Sequence, residues 1–330
     1  MNSQNPAAPQ WRSGPIRPRW IILGLLVLIW GVNTSLFTPS GKTRLLAHRG
    51  VHQTHLSAPR DGSACTAQHI DAQTHDMIEN TIPSMQAAVT AGAQVIELDV
   101  HLTPDNVFAV FHDWTLDCRT NGQGVTKDTP FASLRQLDIG HGYTMDGVTF
   151  PLRGKGIGLM PSLTEVLDAD LGAHYLVNFK SNRRDEGAAL AFLLTNRDYA
   201  RQIWGVYGGA EPVAAAIGGV TDLRGFDRAT LKRCLIAYGL TGWTGRVPAA
   251  CRDTLVAVPM DYGPYLWGWP HKFTTRMQKA GSQVILWGPY DGTGFSSGID
   301  DAATFARVPA GFDGHVWTNK AEVIGPLLPR

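Results

Sequence analysis

Charge is scarce in this chain. Only 17% of its 330 residues are charged, and 29 basic against 28 acidic side chains leave a formal net charge of +1. A broad electrostatic footprint for nucleic acid is excluded, although a local basic pocket is not. Cysteine is scarce as well. Cys65, Cys118, Cys234 and Cys251 stand apart with no C-x-x-C pair, which removes zinc knuckles and thioredoxin-type redox motifs. No internal repeat is visible, and no G-x-G-x-x-G follows the first predicted strand, which weakens a doubly wound dinucleotide fold.

The apolar share is 44%, and a chain of this length buries one large core or two smaller ones. Its 36 glycines and 20 prolines indicate many tight loops. Residues 1–19 are polar and Pro-rich, and their charges are Arg12, Arg17 and Arg19 without an acid. The stretch "WIILGLLVLIWGVNTSLF", Trp20 to Phe37, then carries no charge. Eighteen residues at ~1.5 Å each give ~27 Å, just enough to span a hydrocarbon core. No small-x-small cleavage site follows soon, so a transmembrane signal anchor at 20–37 is favoured over a cleaved signal peptide. The basic tail 1–19 would stay in the cytoplasm. Residues 38–330 would form one extracytoplasmic domain, periplasmic or extracellular. In that compartment two disulfides are expected, with Cys65–Cys118 and Cys234–Cys251 the favoured pairing of three.

After residue 40, short β-rich runs alternate with helical stretches. Strands are predicted at 43–47, 94–101, 107–111, 174–180, 203–207, 255–259, 283–287 and 314–318. Helices are predicted at 80–91, 131–137, 162–167, 186–194, 211–217, 228–238, 271–279 and 321–327. This alternation predicts an α/β fold, a TIM-type (β/α)8 barrel. One link breaks the pattern: only "TPDN" separates "VIELDVHL" from "VFAVFH", too short for a parallel crossover and right for a hairpin. Centred on Pro104 and Asp105, that hairpin sets Glu97 opposite His112. Two insertions, 51–78 and 138–161, are long enough for functional lids.

Polar chemistry clusters at the predicted strand ends: His48-Arg49-Gly50, Glu79-Asn80-Thr81, Glu97-x-Asp99, His112-Asp113 and Lys180 after "LVNF". In a parallel barrel the C-terminal strand ends converge on one face. Two histidines, an acidic pair and two cations suit phosphodiester hydrolysis. The acids would hold a hard divalent ion, Ca²⁺ or Mg²⁺. Arg49 and Lys180 would face the phosphate. One histidine would take a proton from the nucleophile while the other gives one to the leaving alkoxide. Glu79 fits a helix cap as well as it fits an active-site contact.

These residues resemble the glycerophosphodiester phosphodiesterase family, which shares a barrel with phosphatidylinositol-specific phospholipase C. The resemblance runs through "AHRG", "ENTIPSMQAAVTAGAQVIELDVHLTPDN", "FHDWTLDCRT", "MPSLTEVL" and "VNFK", and resumes weakly at "VILW" and "FDGHVWTN". It implies a metal-dependent phosphodiesterase that releases glycerol 3-phosphate and an alcohol. His48 and His112 would be its acid/base pair, and Glu97 and Asp99 its metal ligands. Trp287, which ends "VILW", would be a supporting residue. Three departures stand out. Asn178 occupies the position of the family's third metal carboxylate in E-x-K. Thr318-Asn319-Lys320 replaces a closing T-D-x-P. The insertion 51–78 separates HRG from ENT. Two other readings stay open: a phospholipase acting on intact or lyso-lipid, and a non-catalytic phosphate- or lipid-binding protein permitted by Asn178. The loop histidines 52, 55, 69 and 75 and "RGKGIG" are read as solvated loop residues, and "YLWGWP" as packing.

Overall fold

The computed structural model describes residues 18–55, 65–290, 292 and 297–328. Nine strands form one sheet: β1 (Arg44–His48), β2 (Ala93–Leu102), β3 (Phe108–Val110), β4 (His174–Phe179), β5 (Ile203–Gly208), β6 (Gly225–Asp227), β7 (Leu255–Pro259), β8 (Gln283–Trp287) and β9 (His315–Thr318). The ladder order is β6-β5-β4-β2-β1-β9-β8-β7, parallel throughout, with β3 antiparallel on β2. The eight parallel strands curl into a nearly closed barrel. At the seam between β6 and β7 the Thr254 hydroxyl donates to the Gly225 carbonyl at 2.7 Å, and Arg224 Nε donates to Gly281 O at 2.5 Å.

Among the described residues ten α-helices accompany the strands: α1 (Pro18–Asn33), α2 (Ile82–Thr90), α3 (Phe131–Leu134), α4 (Leu163–Asp168), α5 (Arg184–Arg197), α6 (Ala210–Gly219), α7 (Arg228–Thr241), α8 (His271–Lys279), α9 (Ala302–Phe305) and α10 (Ala321–Ile324). Their starts follow local chemistry. Thr81 caps α2, and reciprocal capping boxes open α4 (Ser162 with Glu165) and α7 (Asp227 with Thr230). Leu46, Val95, Leu176, Leu255, Ala257 and Ile285 pack together with Trp317 inside the barrel. Larger apolar clusters lie between the strands and the outer helices.

The two expected disulfides are present, Cys65–Cys118 and Cys234–Cys251. Three expectations need correction. The eighth barrel strand, β6, was not predicted; its "GFD" is three residues long and has no β-branched side chain to signal it. The hairpin register is one residue away from expectation. Val100 pairs Val110, His101 pairs Ala109 and Leu102 pairs Phe108, because Asn106 adopts φ +58° and lengthens the turn. The ladder stops at Val110, Phe111 N donates to Asp99 O at 3.0 Å, and His112 does not lie opposite Glu97. Finally, the N-terminal helix stops at Asn33 rather than Phe37. It has 16 residues, and no helix among the described residues is long and apolar enough to cross a membrane. The polar end of the segment explains the difference. Asn33 Nδ2 donates to Trp243 O, Ser35 Oγ donates to Gly268 O, and the buried Arg276 donates to Val32 O and Asn33 Oδ1. These bonds tie the end of α1 to the barrel wall.

Candidate active site

Parallel register brings the polar strand ends side by side. His48 ends β1 next to Glu97 of β2; Asp99 of β2 lies next to Asn178 of β4, which lies next to Tyr207 of β5. Beyond His48 the chain turns sharply. Arg49 has φ +59° and Gly50 φ +82°, and a Cβ on Gly50 would lie 2.2 Å from Ser84 Oγ, so only glycine fits there. Asn80 is also left-handed, at φ +60°. Two non-glycine residues held in this sparsely populated region at one place mark a site whose surroundings over-determine it. The twist aims Arg49 inward, at 3.0 Å from Asp99 and 3.1 Å from Glu79.

The charges form a buried network. Glu79 takes Arg49 on one oxygen and Arg119 on the other, at 3.1 and 2.9 Å, and Arg119 also grips Asp113 at 2.9 Å. Burial alone would raise Glu79, but Arg119 and Arg49 hold it down to about 2. Asp99 is ionised. Burial opposes this, but Lys180 at 3.4 Å and Arg49 outweigh it, and the Nδ2 groups of Asn80 and Asn178 donate to its two oxygens at 2.9 and 2.8 Å. Glu97 is treated differently. Tyr207 donates to its Oε1 at 2.6 Å, while its buried Oε2 has no hydrogen-bond partner and lies 3.7 Å from His48 Nε2. Burial, then the charge of Asp99 beside it, pushes Glu97 up. An orphaned anionic oxygen beside a second carboxylate is what a hard cation would occupy. Glu97 Oε2, with Asp99 beside it, is where a divalent ion would be held, although among the described residues no group of three or more His, Cys, Asp or Glu is placed around one. Asn178 is turned away from that role. Its Nδ2 faces Asp99, and its Oδ1 lies 2.7 Å from where a Cβ on Gly208 would be.

His48 presents Nε2 to Glu97, and His112 lies within the electrostatic reach of Arg49, Lys180 and Asp99. His112 Nδ1 bonds Asp113 Oδ1 at 2.6 Å, and Asp113 is held well below the usual carboxylate range, against its burial, by Arg119 and His112. His48 Nδ1 bonds Asn319 Oδ1 at 2.6 Å, and its ring lies 4.8 Å from that of Trp317. Burial lowers both imidazoles and Arg49 lowers them further, while Asp99 and the hydrogen bond to Asp113 work the other way at His112.

Several contributors escaped sequence reasoning. Arg119, within the quoted "DCRT", joins Glu79 to Asp113. Tyr207 is the phenol on Glu97. Asp300 stands behind Asn319. His52, read as a solvated loop residue, is instead buried, with its ring centroid 5.8 Å from that of His48. His101 is buried as well, one pleat beyond Asp99 on the same face. Glu79, by contrast, was signalled by the "ENT" motif. Trp287 lies at the end of β8, its ring 6.2 Å from that of Trp317. The loop 138–161 holds no phosphate cradle. The Asp138 carboxylate accepts the backbone N–H groups of Gly140, Gly154 and Gly156, and Lys155 pairs with Asp76 at 2.7 Å. His69 is exposed, as expected of a solvated loop residue.

A parallel barrel with paired acids, two imidazoles and two cations at its strand ends defines a phosphoric diester hydrolase architecture. The chain belongs to the glycerophosphoryl diester phosphodiesterase family, whose model matches residues 48–293. A glycerophosphodiester phosphodiesterase of Bacillus subtilis is 34% identical over 170 residues, 48% of this chain and 51% of that one. The chain thus spans about half the length of the curated relatives it matches, or less. The fold is shared with the glycerophosphoryl diester phosphodiesterase domain of a Mycobacterium tuberculosis protein, at TM-score 0.61 and 16% identity over 88% of this chain and 99% of that one. It is shared also with an Oleispira antarctica phosphodiesterase solved with the product sn-glycerol-3-phosphate, at TM-score 0.51 and 18% identity over 87% and 95%.

Proposed function

We propose that the chain hydrolyses glycerophosphodiesters to glycerol 3-phosphate and an alcohol. One observation carries this reading. His48, held through Nδ1 by Asn319, sets Nε2 3.7 Å from Glu97 Oε2; His112 is held through Nδ1 by Asp113; and Arg49 and Lys180 flank the neighbouring Asp99. Family membership and the product complex of the Oleispira enzyme support the substrate class.

Arg49 and Lys180 orient the phosphodiester through its non-bridging oxygens. Glu97 Oε2 and Asp99 would hold a divalent cation, Ca²⁺ or Mg²⁺, which when bound neutralises phosphate charge as a Lewis acid. His48 Nε2 takes the proton of the attacking hydroxyl. His112, backed by the ionised Asp113, carries the proton that the leaving alkoxide receives. The buried arginine pair Arg49 and Arg119 keeps Glu79 and Asp113 ionised, and Asp113 in turn holds the His112 ring.

The test is release of glycerol 3-phosphate by the full chain from a panel of glycerophosphodiesters, with Ca²⁺, Mg²⁺ or EDTA. Release that EDTA abolishes supports the reading. A folded protein that releases none under any condition defeats it.

The two disulfides support a location outside the cytoplasm. The helix α1 is apolar and exposed from Trp20 to Trp30, which supports attachment to a membrane at this end of the chain. Fractionation with an alkaline wash checks both. Recovery of the protein in the cytosolic supernatant would refute this placement.

A further inference from the structure

The backing of His48 is unlike that of His112. His112 Nδ1 meets a carboxylate, whereas His48 Nδ1 meets the amide of Asn319. An amide has one face that accepts and one that donates, so its orientation decides which tautomer the ring adopts. That orientation does not rest on how the two amide atoms are labelled. The other end of the Asn319 amide lies 2.8 Å from Asp300 Oδ2, and an ionised carboxylate only accepts. Asn319 must therefore turn Nδ2 to Asp300 and Oδ1 to His48. Asp300 is itself immobilised: it accepts the Asn319 backbone N–H at 2.6 Å and the Thr318 hydroxyl at 3.0 Å. The Thr318 hydroxyl in turn accepts Lys320 N–H at 3.0 Å, which leaves its own proton for Asp300. Burial works to raise Asp300, and these donors, Asn319 first among them, oppose it.

Resting on the hydrolytic reading above, we propose that Asn319, oriented by Asp300, is a positioning residue that locks His48 in the Nδ1–H tautomer and keeps Nε2 as the proton acceptor. Nε2 is the ring nitrogen on the side away from Asn319, 3.7 Å from Glu97 Oε2. In the opposite tautomer Nε2 would already carry a proton, and the ring would have no lone pair to offer the nucleophile. The device differs from the carboxylate behind His112 in consequence as well as in kind. A neutral amide sets the tautomer while favouring the imidazolium less than a charged carboxylate would, so it suits a ring that must start as a base.

The first test needs no substitution and no turnover. The ¹⁵N spectrum of the histidine-labelled full chain, with the His48 signals assigned by loss in His48→Gln, should show a single Nδ1–H tautomer. A His48 that is Nε2–H, or a mixture of the two, overturns the proposal. The second test is an exchange. Asp300→Asn frees the amide to rotate and should mix the tautomers, lowering kcat about 10- to 100-fold with KM little changed. Adding Asn319→Asp to it restores a fixed acceptor and should recover the single tautomer and most of the rate. Asn319→Leu, which has no acceptor, should match Asp300→Asn. Full activity in Asp300→Asn, or a double variant no better than Asn319→Leu, refutes the relay. If the wild-type chain hydrolyses no glycerophosphodiester, the spectrum still decides the tautomer, so failure of the functional reading is told apart from failure of the relay.

Discussion

The two halves of the barrel mouth are built from different chemistry. The half from β1 through β4 carries the ions: His48, Arg49, Glu97, Asp99 and Lys180, with Glu79, Asp113 and Arg119 packed behind them. The half from β5 through β9 is aromatic. Tyr207 stacks on Phe226 at 5.3 Å between centroids, Trp287 stands at 6.4 Å from Phe226 and 6.2 Å from Trp317, and Trp317 reaches back to His48. A phosphodiester has the same division, one anionic centre between two less polar arms. The comparison teaches that a charged cluster this dense depends on an apolar surround. The aromatic wall lowers the local dielectric and strengthens each ion pair, while leaving any unpaired charge costly.

The largest effect should come from the charged half. His48→Gln and His112→Gln should each lower kcat about 10²- to 10⁴-fold while the circular dichroism and the melting transition stay near wild type. Activity within tenfold of wild type in both would separate the ionic half from the chemistry and break the comparison.

Arg119→Met comes next. Arg119 is buried and holds both Glu79 and Asp113, so its loss leaves Glu79 with Arg49 alone and Asp113 with His112 alone. Denaturant unfolding should show a loss of about 3–5 kcal/mol. A loss below 1 kcal/mol would mean that water enters and the network is less dry than its geometry indicates.

Acid should act on the same half. Burial pushes His52 and His101 down to about 4. The unfolded chain binds their protons near pH 6.5 and the folded chain only near 4. Stability is therefore fully present above pH 6.5 and is lost as pH falls through that window, by up to about 3 kcal/mol for each ring. His315 in β9, pushed to about 3 by burial, adds to the decline and extends it. The denaturant midpoint followed from pH 7 to 4 should fall, and less steeply in a His52→Asn, His101→Gln variant. Identical slopes for the two proteins would refute the assignment.

The smallest effect is expected in the aromatic half. Trp287→Leu should raise KM about fivefold, equivalent to roughly 1 kcal/mol of lost contact, with kcat nearly unchanged. A kcat loss as large as that of the histidine variants would show that the two halves do not divide the work.

Much of this was legible in the chain itself. Strand–helix alternation and short loops dictate a parallel barrel, and apolar runs ending in His48, Asp99 and Lys180 mark its active face. The order of HRG, ENT, ExD and HD identifies the chemistry: HRG ends β1, ENT opens α2, ExD lies within β2 and HD follows β3, and each is a local pattern that needs no long-range information. Cysteine placement allowed both disulfides to be anticipated. Tertiary structure alone decided the rest. Asn106 in a left-handed conformation moved the hairpin by one residue, and polar contacts at Asn33 and Ser35 ended the N-terminal helix against the barrel wall. Tyr207 and Asp300 reach the site from segments whose local patterns carry no sign of it, and only the fold gives Arg119 and Asn319, which lie in recognisable motifs, their partners. Asn178 stands in the motif position of a ligand, yet its nitrogen faces the acids. Periodicity and motif order are properties of neighbouring residues, whereas hydrogen-bond direction and charge compensation emerge only when strands far apart in the chain are laid side by side.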